Sequence, residues 1–169
     1  MPSIQLVDPA GNEFLAGLEA KTKKANLFLR AMAHRPEVLK NFVPLYGAIV
    51  GPGSVERRIK SLVYLACSYT NQCAFCIADN TPRAHKAGVT EEELQALRAE
   101  EDHVFSEPER AAIRYARELT RTAAPGETQA LLLQHFSSEQ AVEITLVAAM
   151  ANFTNRFNNG LGILPDVDT

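Results

Sequence analysis

Leu62-Val63-Tyr64-Leu65-Ala66-Cys67-Ser68-Tyr69-Thr70-Asn71-Gln72-Cys73-Ala74-Phe75-Cys76 leads an apolar run into two thiols three residues apart. The segment opens in charge, at Glu56, Arg57, Arg58 and Lys60, and becomes apolar toward the cysteines, so its far end is expected inside the core. Ser54 is the candidate N-cap of a helix from about Val55 to Thr70, which Asn71 ends. After Cys76 a helical pattern continues to Ala87, with Gly88 at C′ and Pro82 predicting a bend or a fresh start. The cysteine pair thus lies at a junction between helices.

The helical period extends in both directions from this junction. Residues 1 to 10 read as an irregular lead with a turn at Asp8-Pro9. Phe14, Leu15, Leu18, Leu27, Phe28 and Met32 then fit one helix, or two short ones divided at Lys21-Thr22-Lys23-Lys24. Pro36 suits a helix start, and Val38, Leu39, Phe42, Leu45 and Tyr46 keep the period with a bend expected at Pro44, before the Gly51-Pro52-Gly53 break. Beyond the cysteines, Thr90 to Glu93, Ser106 to Glu109 and Ser137 to Gln140 have the pattern of capping boxes.

Ala124-Pro125-Gly126 predicts a break before a short helix from about Glu127 to His135. The last helix, about Ser138 to Asn158, is apolar almost all round (Val142, Ile144, Leu146, Val147, Met150, Phe153) and is expected at the centre. Asn152, Asn155, Arg156 and Asn159 share one face of its tail, which would line a site or, the preferred reading, seal a subunit contact. No stretch alternates long enough for a strand, so the prediction is an all-α single domain over residues 1–169, with about seven or eight helices.

The 169 residues are 46% hydrophobic and 22% charged, with a net charge of -3 and a pI near 5.8. No basic cluster offers a footprint for nucleic acid or an anionic membrane. No stretch approaches the ~20 apolar residues of a spanning helix, and Met1-Pro2-Ser3-Ile4 does not begin a signal peptide, so a cytoplasmic protein is expected. Cys67, Cys73 and Cys76 are too few and too close together for a secreted disulfide scaffold.

A Cys-X-X-Cys pair suits redox chemistry: one thiolate attacks a peroxide or disulfide, and the other resolves the sulfenate or mixed disulfide. A helix N-terminus favours the thiolate at Cys73. Cys67 reads as packing. A zinc site would need two further ligands, and no second Cys/His pair has ordinary spacing, so neither metal nor cofactor is expected. The auxiliary candidates are Ser61, Asn80 and His85. Asn80 shares the Cys76 face but cannot exchange protons at neutral pH, whereas His85 lies on the opposite side of an unbroken helix. Ser61 either bonds its own helix or serves the thiols.

Taken together, several landmarks resemble the carboxymuconolactone decarboxylase superfamily in its AhpD-like, peroxidase-related branch. They are Asn26-Leu27-Phe28, His34-Arg35-Pro36-Glu37, the run from Leu62 into Cys73-Ala74-Phe75-Cys76, and Gly88-Val89-Thr90-Glu91-Glu92. Arg114-Tyr115-Ala116-Arg117-Glu118-Leu119 and Asn155-Arg156 through Gly162 complete a likeness covering nearly the whole chain. The resemblance implies an AhpD-like fold, a homo-oligomer (dimer, trimer or hexamer), and reduction of alkyl hydroperoxides or disulfides at the expense of an external thiol or dithiol. It assigns attack to Cys76 and resolution to Cys73, the reverse of the helix-dipole preference. The family's relay Glu and His fall at Ser61 and Asn80, which leaves His85, Glu56 or water to move protons. The alternatives are a non-catalytic redox sensor or structural oligomer and, ranked lower, a lactone decarboxylase.

Overall fold

The computed structural model describes residues 2–124 and 126–165; Pro125, in the predicted Ala124-Pro125-Gly126 break, lies outside the described residues. Among these there are nine α-helices and no strand: α1 (Glu13–Thr22), α2 (Leu27–Met32), α3 (Pro36–Val50), α4 (Arg57–Thr70), α5 (Ala74–Lys86), α6 (Glu91–Ala99), α7 (Glu107–Thr122), α8 (Gly126–His135) and α9 (Ser138–Gly160).

Helix α4 is the hub. Every residue from Leu62 to Ser68 is buried, and the helix packs against α5, α6, α7 and α9. This is the burial expected of a segment apolar on all sides. A second core joins Leu15, Phe28, Met32, Leu39, Phe42 and Met150, with Tyr46, Ile49 and Phe75 packed against both cores. Phe28 meets Phe42 and Phe157 edge to face, at centroid distances of 5.3 and 5.2 Å, the favourable arrangement for rings with opposed edge and face charge.

Helix ends follow local chemistry. Glu93 N donates to Thr90 Oγ1 (3.2 Å) while Thr90 N donates to Glu93 Oε2 (2.8 Å), and Ser137 exchanges the same pair of bonds with Gln140. The Ser106 amide and hydroxyl both donate to Glu109. Gly88, at φ 84°, ends the α5 region in the left-handed conformation that glycine adopts without steric cost. α1 and α2 are separate helices, divided where Lys23 takes a left-handed φ of 54°. Pro44 and Pro82 both lie inside continuous helices.

Two expectations need correction. α4 begins at Arg57 with Glu56 at the N-cap; Ser54 instead donates through its hydroxyl to Glu143 (2.6 Å) on α9. Glu143 also pairs with the buried Lys60, whose ammonium donates to Gly51 O (2.6 Å). Burial pushes the Glu143 carboxyl up, but Lys60 and Ser54 outweigh it and hold the group below the usual carboxylate range. The Gly51–Gly53 break is thereby fastened to α4 and α9. Secondly, α9 is not enclosed all round: Val142, Leu146 and Phe153 are exposed, and the last two border a groove with Val38 and Leu45 of α3.

Arg58 fastens the opposite side of α4. Its guanidinium donates to Glu109 (2.6 Å) on α7, to Glu93 on α6 and to the Gly88 carbonyl. No described helix is long and apolar enough to cross a membrane.

Candidate active site

The chain turns from α4 into α5 at Asn71-Gln72, where Gln72 takes a left-handed φ of 52° and Cys73 N donates to Ser68 O (2.9 Å). Asparagines of α9 hold this turn. Asn71 Nδ2 donates to Asn152 Oδ1 and Asn155 Oδ1 (both 2.9 Å), Asn159 Nδ2 donates to Asn71 O (2.8 Å), and Asn155 Nδ2 reaches Ser68 Oγ (3.2 Å). Asn155 is fully buried. The asparagines of this polar face thus position the cysteine turn, Asn155 from within the core, while Arg156 and Asn159 remain exposed. Polar groups removed from water must find partners, and these satisfy one another.

Cys73 is the N-cap of α5, its Sγ accepting from Cys76 N (3.3 Å). The two sulfurs are joined in a disulfide across a Cα separation of 5.3 Å. Their surroundings differ. Both are buried, Cys73 at 0% and Cys76 at 2% exposure, but only Cys76 borders a chamber, of about 230 Å³. Asn158 Nδ2 donates to Cys76 Sγ (3.2 Å), and Asn158 Oδ1, buried beside it, has no hydrogen-bond partner. Sequence reasoning missed Asn158. Its signal was the spacing, three residues beyond Asn155 and so close to the same helix face.

The chamber has Phe28, Phe42 and Phe75 among its apolar walls and Tyr46, Tyr64, Asp79, Asn80 and Arg83 among its polar ones. Tyr64 OH shares a 2.6 Å hydrogen bond with Thr154 Oγ1; Arg83 donates to Tyr46 OH (3.3 Å) and pairs with Asp79 (3.1 Å). Burial pushes both phenols up, Tyr64 well above the ordinary value, so both are neutral hydrogen-bond donors at pH 7.

The auxiliary candidates part company. Asn80 borders the chamber and donates to the Cys76 carbonyl (2.9 Å). Ser61 Oγ donates to Arg57 O (2.9 Å) of its own helix and borders an adjoining space of about 170 Å³ instead. His85 lies where an unbroken helix puts it: α5 continues through Pro82, so the imidazole stays on the far side, against Val89 O (2.9 Å), and borders neither space. Glu56 borders a different groove. Cys67 is fully enclosed, and burial pushes its thiol up to about 11, the inert state expected of a packing cysteine. No group of three or more potential metal ligands occurs among the described residues.

The helices that frame this cysteine pair are shared, in sequence and in fold, with known proteins. Residues 36–118 match the carboxymuconolactone decarboxylase family. An uncharacterized protein of Bacillus subtilis, YdfG, is 31% identical over 113 residues, 64% of this chain and 77% of its own. The structure of an Agrobacterium tumefaciens protein, whose proposed role is antioxidant defence as an AhpD, is similar at TM-score 0.72 and 28% identity, over 81% of this chain and 96% of that one. A peroxidase-related protein with an AhpD core from Ralstonia eutropha shares the fold at TM-score 0.81 and 18% identity, over 99% and 92%. The chain belongs to the carboxymuconolactone decarboxylase family, in its AhpD-like branch.

Proposed function

We propose that the protein is a dithiol oxidoreductase that reduces organic hydroperoxides or disulfides, with Cys76 attacking and Cys73 resolving. The observation that carries this reading is the asymmetry of the pair: only Cys76 borders the chamber, and its sulfur accepts from Asn158. An amide N–H aimed at sulfur favours thiolate, the nucleophilic form.

In the proposed cycle the Cys76 thiolate attacks the distal oxygen of a hydroperoxide. The S–O bond forms as the O–O bond breaks, and that electron pair leaves with the alkoxide. A proton turns the alkoxide into an alcohol. Asn80 cannot exchange protons and Ser61 does not border the chamber, so the proton is assigned to the phenols of Tyr46 and Tyr64, which do border it, and bulk water reprotonates them. The Cys73 thiol, losing its proton, then attacks the sulfur of the Cys76 sulfenic acid; the S–S bond forms as the S–O bond breaks, and the hydroxide expelled takes up that proton and leaves as water. An external dithiol returns two electrons and two protons and is itself oxidised. With a disulfide substrate, the first product is a mixed disulfide, which Cys73 resolves in the same way. A cytoplasmic setting, rich in thiol reductants, suits this cycle.

The test is peroxide consumption with excess dithiol. Wild type is expected to turn over repeatedly, and Cys73→Ser and Cys76→Ser to lose turnover by about a hundredfold or more, the range in which removal of a nucleophile is usually felt. Full turnover in either variant rejects the cycle, and one equivalent of peroxide per chain points to a redox sensor.

The exposed apolar side chains of α3 and α9 support a homo-oligomer. Leu45, Leu146 and Phe153 border one groove of about 560 Å³ between these helices, and copies of this chain are proposed to meet there.

A further inference from the structure

Resting on the redox reading above, we infer that the site takes an anionic amphiphile: an organic hydroperoxide or disulfide whose apolar body fills the Cys76 chamber and whose carboxylate sits among Arg57, Arg83 and Lys86. Two spaces abut here. Tyr46, Tyr64, Asn80 and Arg83 border both the chamber of about 230 Å³ and the adjoining space of about 170 Å³. The first is several times the ~30 Å³ that a water molecule occupies, so it has room for an organic group that hydrogen peroxide would leave unfilled. Its aromatic walls favour an apolar body.

The second space has the opposite character. Arg57, Lys60, Arg83 and Lys86 border it, and no carboxylate residue does. Lys60 is neutralised by Glu143, and Arg83 is paired with Asp79. Arg57 and Lys86 have no ion-pair partner among the described residues. Charges of one sign around a cleft focus the field and concentrate a counter-ion. The Ser61 hydroxyl, which borders this space, donates to Arg57 O of its own helix. A molecule reaching from the cationic space past Tyr46 and Tyr64 brings its reactive group toward Cys76.

Binding of octanoate and octanol to the oxidised protein tests the inference without turnover. Calorimetry should show octanoate binding about tenfold more tightly, as expected of a single charge-assisted contact. The Arg57→Gln/Lys86→Gln pair, both exposed positions, should abolish the preference while octanol binding is unchanged. Ser61→Glu, which places a carboxylate in the cationic space, should weaken octanoate alone. Equal affinity of the two probes, or a preference that survives the double variant, overturns the inference. A charge preference without peroxide turnover refutes the redox reading and leaves the anion site standing; turnover without the preference does the reverse.

Discussion

Asn158 carries more of the site than its sequence suggested. It is buried in the tail of α9, donates to Cys76 Sγ, and keeps an unpartnered oxygen beside it. In the reduced protein the same amide would stabilise a thiolate, and its oxygen would accept from the O–H of an incoming hydroperoxide. Asn158→Leu, close in size but without polar atoms, should therefore slow alkylation of Cys76 by iodoacetamide about tenfold at neutral pH, the worth of one hydrogen bond to a charged group. An unchanged rate would remove Asn158 from the chemistry. The cysteines were legible because thiol pairs are rare and their spacing has a chemical meaning. Asn158 was not: periodicity placed the α9 asparagines on a face, but nothing in one chain says which neighbour that face meets. His85 illustrates the converse, since helical geometry alone put it on the side where the structure has it.

At the scale of elements, α4 is fixed by charge on both flanks. Arg58 ties it to α6 and α7 through Glu93 and Glu109, and Lys60 ties it to α9 through Glu143. Arg58 holds Glu93 below the usual carboxylate range; for Glu109, burial pushes upward but Ser106 and Arg58 prevail. A carboxyl depressed on folding contributes stability that is complete above its unfolded value, about 4.3, and is lost as pH falls through the folded value. Denaturant titrations from pH 7 down to about pH 3 should show unfolding free energy falling below about pH 4.5. Arg58→Gln should lower stability at pH 7 and flatten the fall. Parallel profiles for the two proteins would mean that Arg58 does not set the acid response. Capping boxes made the starts of α6, α7 and α9 readable, because both partners lie within four residues. Ser54 misled because its partner, Glu143, lies on another helix, and local rules favoured a cap.

For the whole molecule, the all-α class followed from helical periodicity, while the surroundings of α9 did not. A helix apolar on nearly every side was expected at the centre of one chain. In the structure it is buried along one side and presents Val142, Leu146 and Phe153 on the other. A sequence cannot tell a neighbour in the same chain from one in a second copy, because both impose the same apolar pattern. Leu146→Glu with Phe153→Glu should reduce the mass measured by light scattering to that of the 18.5 kDa chain, with helical content retained. A wild-type protein already of that mass, or a variant of unchanged larger mass, would exclude this face as the contact.

The enclosure of Cys73 behind Cys76 has one further consequence. In the proposed cycle the oxidising substrate and the regenerating dithiol must both be received by the sulfur that borders the chamber. They share one reactive sulfur, so the two half-reactions are separated in time rather than in space, and each visitor bars the other while it holds that sulfur.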